Sequence, residues 1–326
     1  MRMVKNNKSA FLLSAVMIIM SCAAVQALPP DPENAALLYY QVFLSQQKND
    51  ETKINLIRPL ARGEIDPNEK ISKYIESNRY LMSLVETAAD LEQCDWGIKY
   101  SDGFEVLIPY LSQTRDFCFL FIADARVLAR EGDYKSAINR CLTVYKMGNH
   151  INQGHTIISF LVDKASSQLA SNCIRDILSN AKVDLETLQW LKAEMEAIRS
   201  KDVPLKASVE FEHEIIAGYM NMERIHELLP WLEDCINDKS AIKTAYESIP
   251  AADEQFCVKN KAYLDKHFEE VIAALDLPYK QASASLADLS EKPARDLKDN
   301  PDALLTCVLA PSIKKAYHYQ VQRNTF

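Results

Sequence analysis

The chain has 326 residues, 45 of them acidic against 37 basic, and its net charge of −8 argues against nucleic acid as a partner, because an acidic surface repels phosphate backbones. Hydrophobic residues make up 48%, enough for a sizeable core, and seven glycines are too few for a chain built from sheets and hairpin turns. No G-x-S-x-G, H-E-x-x-H or Walker pattern occurs, so hydrolase, zincin and P-loop chemistries lack their usual marks.

The first eight residues carry Arg2, Lys5 and Lys8 and no acid, and residues 10–20 form an apolar-dominated run. That run has the length of a signal-peptide core and is too short to span a bilayer. Val25-Gln26-Ala27 supplies small residues for cleavage, so residues 1–27 read as a signal peptide and 28–326 as the mature chain. An uncleaved anchor is the competing reading, opposed by polar Ser21 and Gln26. Ile19-Met20-Ser21-Cys22 partly fits a lipobox, which would acylate Cys22 and give a lipid anchor; otherwise Cys22 is a small leader residue. Loss of the leader takes the net charge to −11 and leaves no polybasic cluster for anionic lipid. The expected location is extracytoplasmic, periplasmic or secreted, with no transmembrane span in the mature chain.

Helix starts are legible along the rest. Asp31-Pro32-Glu33 places an N-cap before Pro and predicts a helix over 35–47. Asp66-Pro67-Asn68-Glu69 reads as a capping box opening a long helix, with Ile71, Ile75, Leu81, Leu84, Val85 and Ala88 at helical spacing. Residues 96–106 differ: apolar runs flank Asp102-Gly103, the pattern of one short hairpin. A helix over 105–131 carries two apolar stripes, one with Tyr110, Phe117 and Phe121, the other with Leu107, Leu111, Cys118 and Ala125. This predicts a central helix covered on much of its circumference. Gly132-Asp133 breaks and recaps the chain for a helix over 134–149, and another follows over 156–179. Asp184 caps a helix with an a/d-like seam of Leu185, Leu188, Leu191, Met195 and Ile198. Pro204 opens a helix to about residue 229, and Pro230, Pro250 and Pro278 cut the remainder into shorter helices. Residues 284–300 read as a weak helix and a solvated loop, and Asn300-Pro301-Asp302 opens a last apolar segment.

Asp95, Trp96 and Asp102 make the loop at 94–104 the leading candidate binding site. An aromatic with carboxylates on a glycine-containing loop can stack on a sugar ring or a partner peptide. The alternative is that Trp96 plugs the top of the helical core. Arg115 and Arg126, eleven residues apart, fall within about 20° on one helix face, where they grip an anion or pair with acids. Glu210-x-x-His213 and Glu223-x-x-His226 resemble the motif pair of a carboxylate-bridged di-metal centre. On one straight helix the two histidines stand about 20 Å and about 220° apart, so only a break near Gly218 brings them together. A solvated acidic face is the expectation there. His150 and His155 flank a glycine-containing turn with no third ligand nearby and read as surface polar residues. No metal and no cofactor is expected. Cys118, within Phe117-Cys118-Phe119, reads as a buried thiol. Cys235 and Cys257 flank a loop-rich stretch and are the best disulfide candidates, with free core thiols as the alternative.

Residues 121–149 contain Ala125-Arg126-Val127-Leu128-Ala129-Arg130-Glu131-Gly132-Asp133-Tyr134, then Ala137, and this resembles the middle of one tetratricopeptide repeat. No second copy stands at the family's period, so the resemblance implies one antiparallel helical hairpin and no ligand. Asn34-Ala35-Ala36-Leu37-Leu38-Tyr39-Tyr40, Cys94-Asp95-Trp96-Gly97, Leu107-Ile108-Pro109 and the segment from Asn300-Pro301 to Pro311 are similar to an uncharacterised family of exported helical proteins of planctomycete-type bacteria. That resemblance implies export and helical architecture and lends no chemistry. The family pattern continues through a further helix and an extension, so it implies a shortened closing helix here.

The expected fold is all-α, antiparallel helical hairpins in a TPR-like or α-solenoid-like bundle, forming one elongated domain over 28–326 with a looser subregion at 238–326. The expected role is an exported scaffold or protein-interaction module of the bacterial envelope, its partner another envelope protein, with no catalytic activity evident. The alternative is an envelope enzyme or small-ligand binder that uses the loop at 94–104.

Overall fold

The structure, a computed structural model, describes residues 31–46, 51–225, 253–311 and 313–324. Among them every extended element is helical, and the one β-type contact is an isolated parallel bridge between Asn34 and Gln93. The all-α expectation holds, and no described helix is long and apolar enough to cross a membrane.

Helix α1 (Ala35–Ser45) is capped by Asn34 rather than Asp31: the Asn34 side chain accepts from the Ala36 amide at 3.1 Å. A π-helical turn (Lys53–Ile57) leads into α2 (Arg58–Arg62), which stops at Gly63 with φ 76°. The long helix expected from Asp66 divides in two. Asn68 caps α3 (Glu69–Ser77) through the Ile71 amide, and the chain turns at Asn78 before α4 (Arg79–Asp90). Asp66, passed over as a cap, instead pairs with Arg130 at 2.9 Å.

The hairpin expected at 96–106 is absent. That stretch is an extended run ending in a 3₁₀ turn (Tyr100–Glu105). Its polar groups bond to other elements rather than to a facing strand. Tyr100 donates its hydroxyl to the Gly154 carbonyl at 2.7 Å, Arg224 donates to Ser101, and Tyr219 donates to Asp102. Gly103, at φ 56°, lies where a Cβ would run into the Tyr219 ring, so only glycine allows this approach. Pro109 then fixes the start of the next helix, which begins later than expected and leaves Leu107 outside it, 82% exposed.

Three long helices follow: α5 (Tyr110–Glu131), α6 (Tyr134–Asn152) and α7 (Ile157–Asn180). Gly132 at φ 89° ends α5, the Asp133 carboxylate caps α6 at Ser136, and Thr156 caps α7 at Ser159. Tight turns make α5/α6 and α6/α7 antiparallel hairpins. The first core packs around them, with Tyr39, Tyr110, Phe117, Phe121 and Met147 wholly buried. Asp124 of α5 is buried with them and accepts from Arg79 of α4 at 2.8 Å and Arg140 of α6 at 2.7 Å, which joins three helices through one carboxylate.

Helix α8 (Leu185–Arg199) covers part of α6, and α9 (Leu205–Tyr219) begins a second core. That core takes in α10 (Glu254–Leu275), α11 (Tyr279–Asp296), α12 (Leu304–Leu309) and α13 (Ile313–Asn324), and beside it Ala303 of a 3₁₀ turn (Pro301–Ala303) forms a small cluster with Leu297 and Leu304. Ile157 and Phe160, at the start of α7, belong to the second core; Ala170, Cys173, Ile174 and Ile177, further along, belong to the first. Residues 284–296, read as a weak helix, complete α11 around Leu286 and Leu289, with Pro293 inside its last turn. The expected boundary at 238 lies outside the described residues.

Candidate functional site

At the loop predicted as a site, Trp96 is a buried plug while Asp95 is exposed and Asp102 half-buried. The Asp95 amide donates to the Asn34 side chain at 2.9 Å, and the Asn34 amide group donates back to the Asp95 carbonyl at 2.8 Å. The Asp95 carboxylate accepts from the Gly97 amide at 2.9 Å. Trp96 is only 3% exposed. Its ring stacks on Tyr110 at 3.9 Å and on Tyr39 at 5.3 Å, and its indole N–H donates to the His150 carbonyl at 2.8 Å. Both faces and the polar edge are therefore occupied, and Trp96 offers no stacking platform to a ligand. Asp102 pairs with Lys99. His150, read as a surface residue, is buried: its Nε2–H donates to the Leu91 carbonyl and its Nδ1 accepts from the Tyr39 hydroxyl. Burial pushes the His150 pKa down from 6.5 to about 4.

Arg115 and Arg126 both line openings between α2 and α7, but separate ones. Arg115 borders a cavity of about 230 Å³ with Arg62, Phe119 and Asn172. Arg126 borders a cleft of about 490 Å³ with Arg130, Tyr134 and Cys173. There its Nη2 pairs with Asp176 at 2.8 Å and its Nε donates to the Ala61 carbonyl at 3.0 Å, so ion pairing is its role. The five predicted residues do not converge.

The di-metal motif meets a break at the expected place. Helix α9 ends at Tyr219, and Asn221 recaps the chain by accepting from the Glu223 and Arg224 amides. His226 lies outside the described residues. His213 pairs with Asp265 at 2.8 Å and stacks on Phe268, and among the described residues no three His, Cys, Asp or Glu side chains group as a metal site. Cys235 also lies outside the described residues; its expected partner Cys257 is a free buried thiol that donates to Met222 Sδ at 3.8 Å. Cys118 is buried as expected.

The opening best suited to a partner runs between α7 and α8, about 640 Å³ in volume. Ile174 and Leu178 of α7 face Leu188, Leu191 and Met195 of α8, and Tyr145 lies at one end. Arg175, Lys192 and Arg199 stand along it, with Glu196 the one acid. The α8 seam predicts this only in part. Leu191 and Ile198 bury against the first core, whereas Leu185 remains 69% and Leu188 39% exposed. The seam's N-terminal half thus has no covering helix among the described residues. Comparison with protein-family models, curated proteins and solved structures finds no match for this chain.

Proposed function

We propose that the protein is a non-catalytic helical interaction module that receives the apolar face of an acidic amphipathic helix in the α7–α8 groove. The observation that carries this reading is the uncovered half of the α8 seam, facing Leu178 across an open groove. Helix-in-groove recognition uses such apolar anchors at helical spacing. Arg175, Lys192 and Arg199 each have a partner within the chain, Lys192 meeting Glu196 at 3.9 Å, and with three cations to one acid the groove keeps a positive balance that suits a partner whose flanks carry Glu or Asp. The tetratricopeptide-like hairpin at 121–149 supports a scaffold of this kind, and Trp96, stacked on Tyr110 and bonded to the His150 carbonyl, does not offer its ring for stacking on a ligand.

A synthetic amphipathic helix with Leu at i, i+3, i+4 and i+7 and Glu on its flanks tests the proposal by fluorescence anisotropy. The Glu-flanked peptide binds, and a Lys-flanked version binds at least about tenfold more weakly. Leu188→Glu weakens binding by about tenfold or more, roughly 1.4 kcal/mol, while its circular dichroism and melting stay close to wild type. Equal binding of the two peptides, or a wild-type dimer that Leu188→Glu abolishes, overturns the reading.

The leader expected at residues 1–27 and the resemblance to exported helical proteins support a place in the bacterial envelope, with another envelope protein as the partner. Mass spectrometry of the N-terminus from the native host reads this: a start at Leu28 or an acylated Cys22 agrees, and an intact Met1 in the cytoplasm does not.

A further inference from the structure

We propose that Cys141 and Cys173 are a disulfide-forming pair that closes across the α6/α7 hairpin. The register of that hairpin places them. Asn152 reaches Asp163 at 3.5 Å, a Cβ on Gly148 would stand 3.3 Å from the Ser167 hydroxyl, and Tyr145 bonds Ser171. The same antiparallel register brings Cys141 of α6 to the level of Cys173 and Ile174 on α7. Both cysteines are free thiols, wholly buried in the first core at that level, and each perturbs the ionisation of the other as near neighbours do. Gly148, Ser167 and Ala170 are small residues along the same contact, and a disulfide needs the close helix approach that such residues permit.

The environment divides the roles. The Cys141 S–H supports a thiolate at Cys173, and the Arg126 guanidinium nearby favours the same charge, so Cys173 is the more acidic thiol; burial pushes Cys141 upward. Cys173 also borders the Arg126 cleft, whereas Cys141 lies behind it. The step is thiol–disulfide exchange with a disulfide donor, a small-molecule or protein disulfide. The Cys173 thiolate attacks one donor sulfur, forming a mixed disulfide and expelling the other sulfur as a thiolate that takes up a proton. Cys141 then gives up its proton, and its sulfur attacks Cys173, expelling the second donor thiol. The donor gains two electrons and two protons, and the hairpin loses them. Cys173 is closed to solvent once the chain is folded, so the exchange belongs to a late stage of folding, when α5, α6 and α7 have met and Arg126 stands beside Cys173 but the cleft has not yet closed over it. The proposal rests on the hairpin alone and not on the groove between α7 and α8.

The full chain, reduced and unfolded, is refolded in a glutathione/glutathione-disulfide buffer, alkylated with iodoacetamide and mapped by peptide mass spectrometry. The expected product links the Cys141 and Cys173 peptides, and its melting temperature stands about 5–10 °C above that of the same protein kept reduced. Adding a reductant abolishes the shift. Alkylation of both cysteines, or their linkage mainly to other cysteines, overturns the proposal. Wild type is compared with itself, so no variant has to fold. Where Cys173→Ala folds, its oxidised and reduced forms melt together; a shift that persists in it counts against the pair.

Discussion

His150 joins three parts of the chain through one ring. The hydrogen bonds fix a neutral tautomer, with Nε2–H to Leu91 and Nδ1 receiving the Tyr39 hydroxyl, and burial holds the folded-state pKa near about 4. The unfolded chain binds a proton at this residue below about pH 6.5, the folded chain only below about 4. Its contribution to stability is therefore complete above the unfolded value and falls as pH drops through that window, by about 3 kcal/mol at most. A series of urea melts between about pH 7 and pH 4.5 reads the loss. His150→Gln keeps a donor for Leu91 and removes this part of the slope; His267, whose pKa burial also lowers, contributes in the same direction. A slope unchanged in the variant would place the titration elsewhere. Composition alone leaves a histidine beside a glycine turn looking like a surface residue. The partners that bury it, Tyr39 and Leu91, lie far away in sequence and leave no local pattern. Trp96 is the same case: its two readings are separated only by Tyr39, Tyr110 and the His150 carbonyl, none of them within reach of a periodicity argument.

At the scale of elements, the sequence is most readable where punctuation and periodicity agree. Gly132-Asp133, Thr156 and Asp184 each mark a helix end that the structure keeps, because a left-handed glycine or an oxygen that accepts from the first turn is a strictly local demand. Where two candidate caps compete, local rules misplace the start. Asn34 outcompetes Asp31, and Asn68 outcompetes Asp66, since Asn34 also ties the Asp95 loop and Asp66 has Arg130 to satisfy it. The hairpin expected around Asp102-Gly103 fails for a related reason. A turn signal promises a change of direction, but the facing strand needs partners, and here Tyr219 and Arg224 take the Asp102 and Ser101 carbonyls while the Tyr100 hydroxyl is drawn to Gly154. The α8 seam shows the other limit. Apolar spacing reports that a face must be covered and is silent on what covers it: the C-terminal half meets the first core, and the N-terminal half meets an open groove.

At the scale of the molecule, the described residues build two large hydrophobic cores and a small third cluster around Leu297, Ala303 and Leu304, and α7 enters both large ones. Its Asp163 and Lys164 pair at 2.7 Å near that junction, almost wholly buried, with Lys164 reaching Asp202 at 3.7 Å and Asn152 bonding the Val203 carbonyl at 3.0 Å. A buried pair of this kind is costly to break one partner at a time, so it favours keeping α7, the α8–α9 connection and the end of α6 together. The expected consequence is shared stability. Phe268→Ala, far along the second core, costs about 3–5 kcal/mol locally. Hydrogen exchange should register a comparable loss of protection in α5, which belongs to the first core; full protection retained at α5 would mean that the cores open separately.

One continuous rod that begins in one oily interior and finishes in another behaves as a lever between them. On the proposed reading, a guest seated against Ile174 and Leu178 would grip its far end, and part of that grip would be felt by residues around Ile157 and Phe160 that it never touches. Occupancy on one side of the molecule would then be readable as slower amide exchange on the other, in α10 and α11, with no displacement of either.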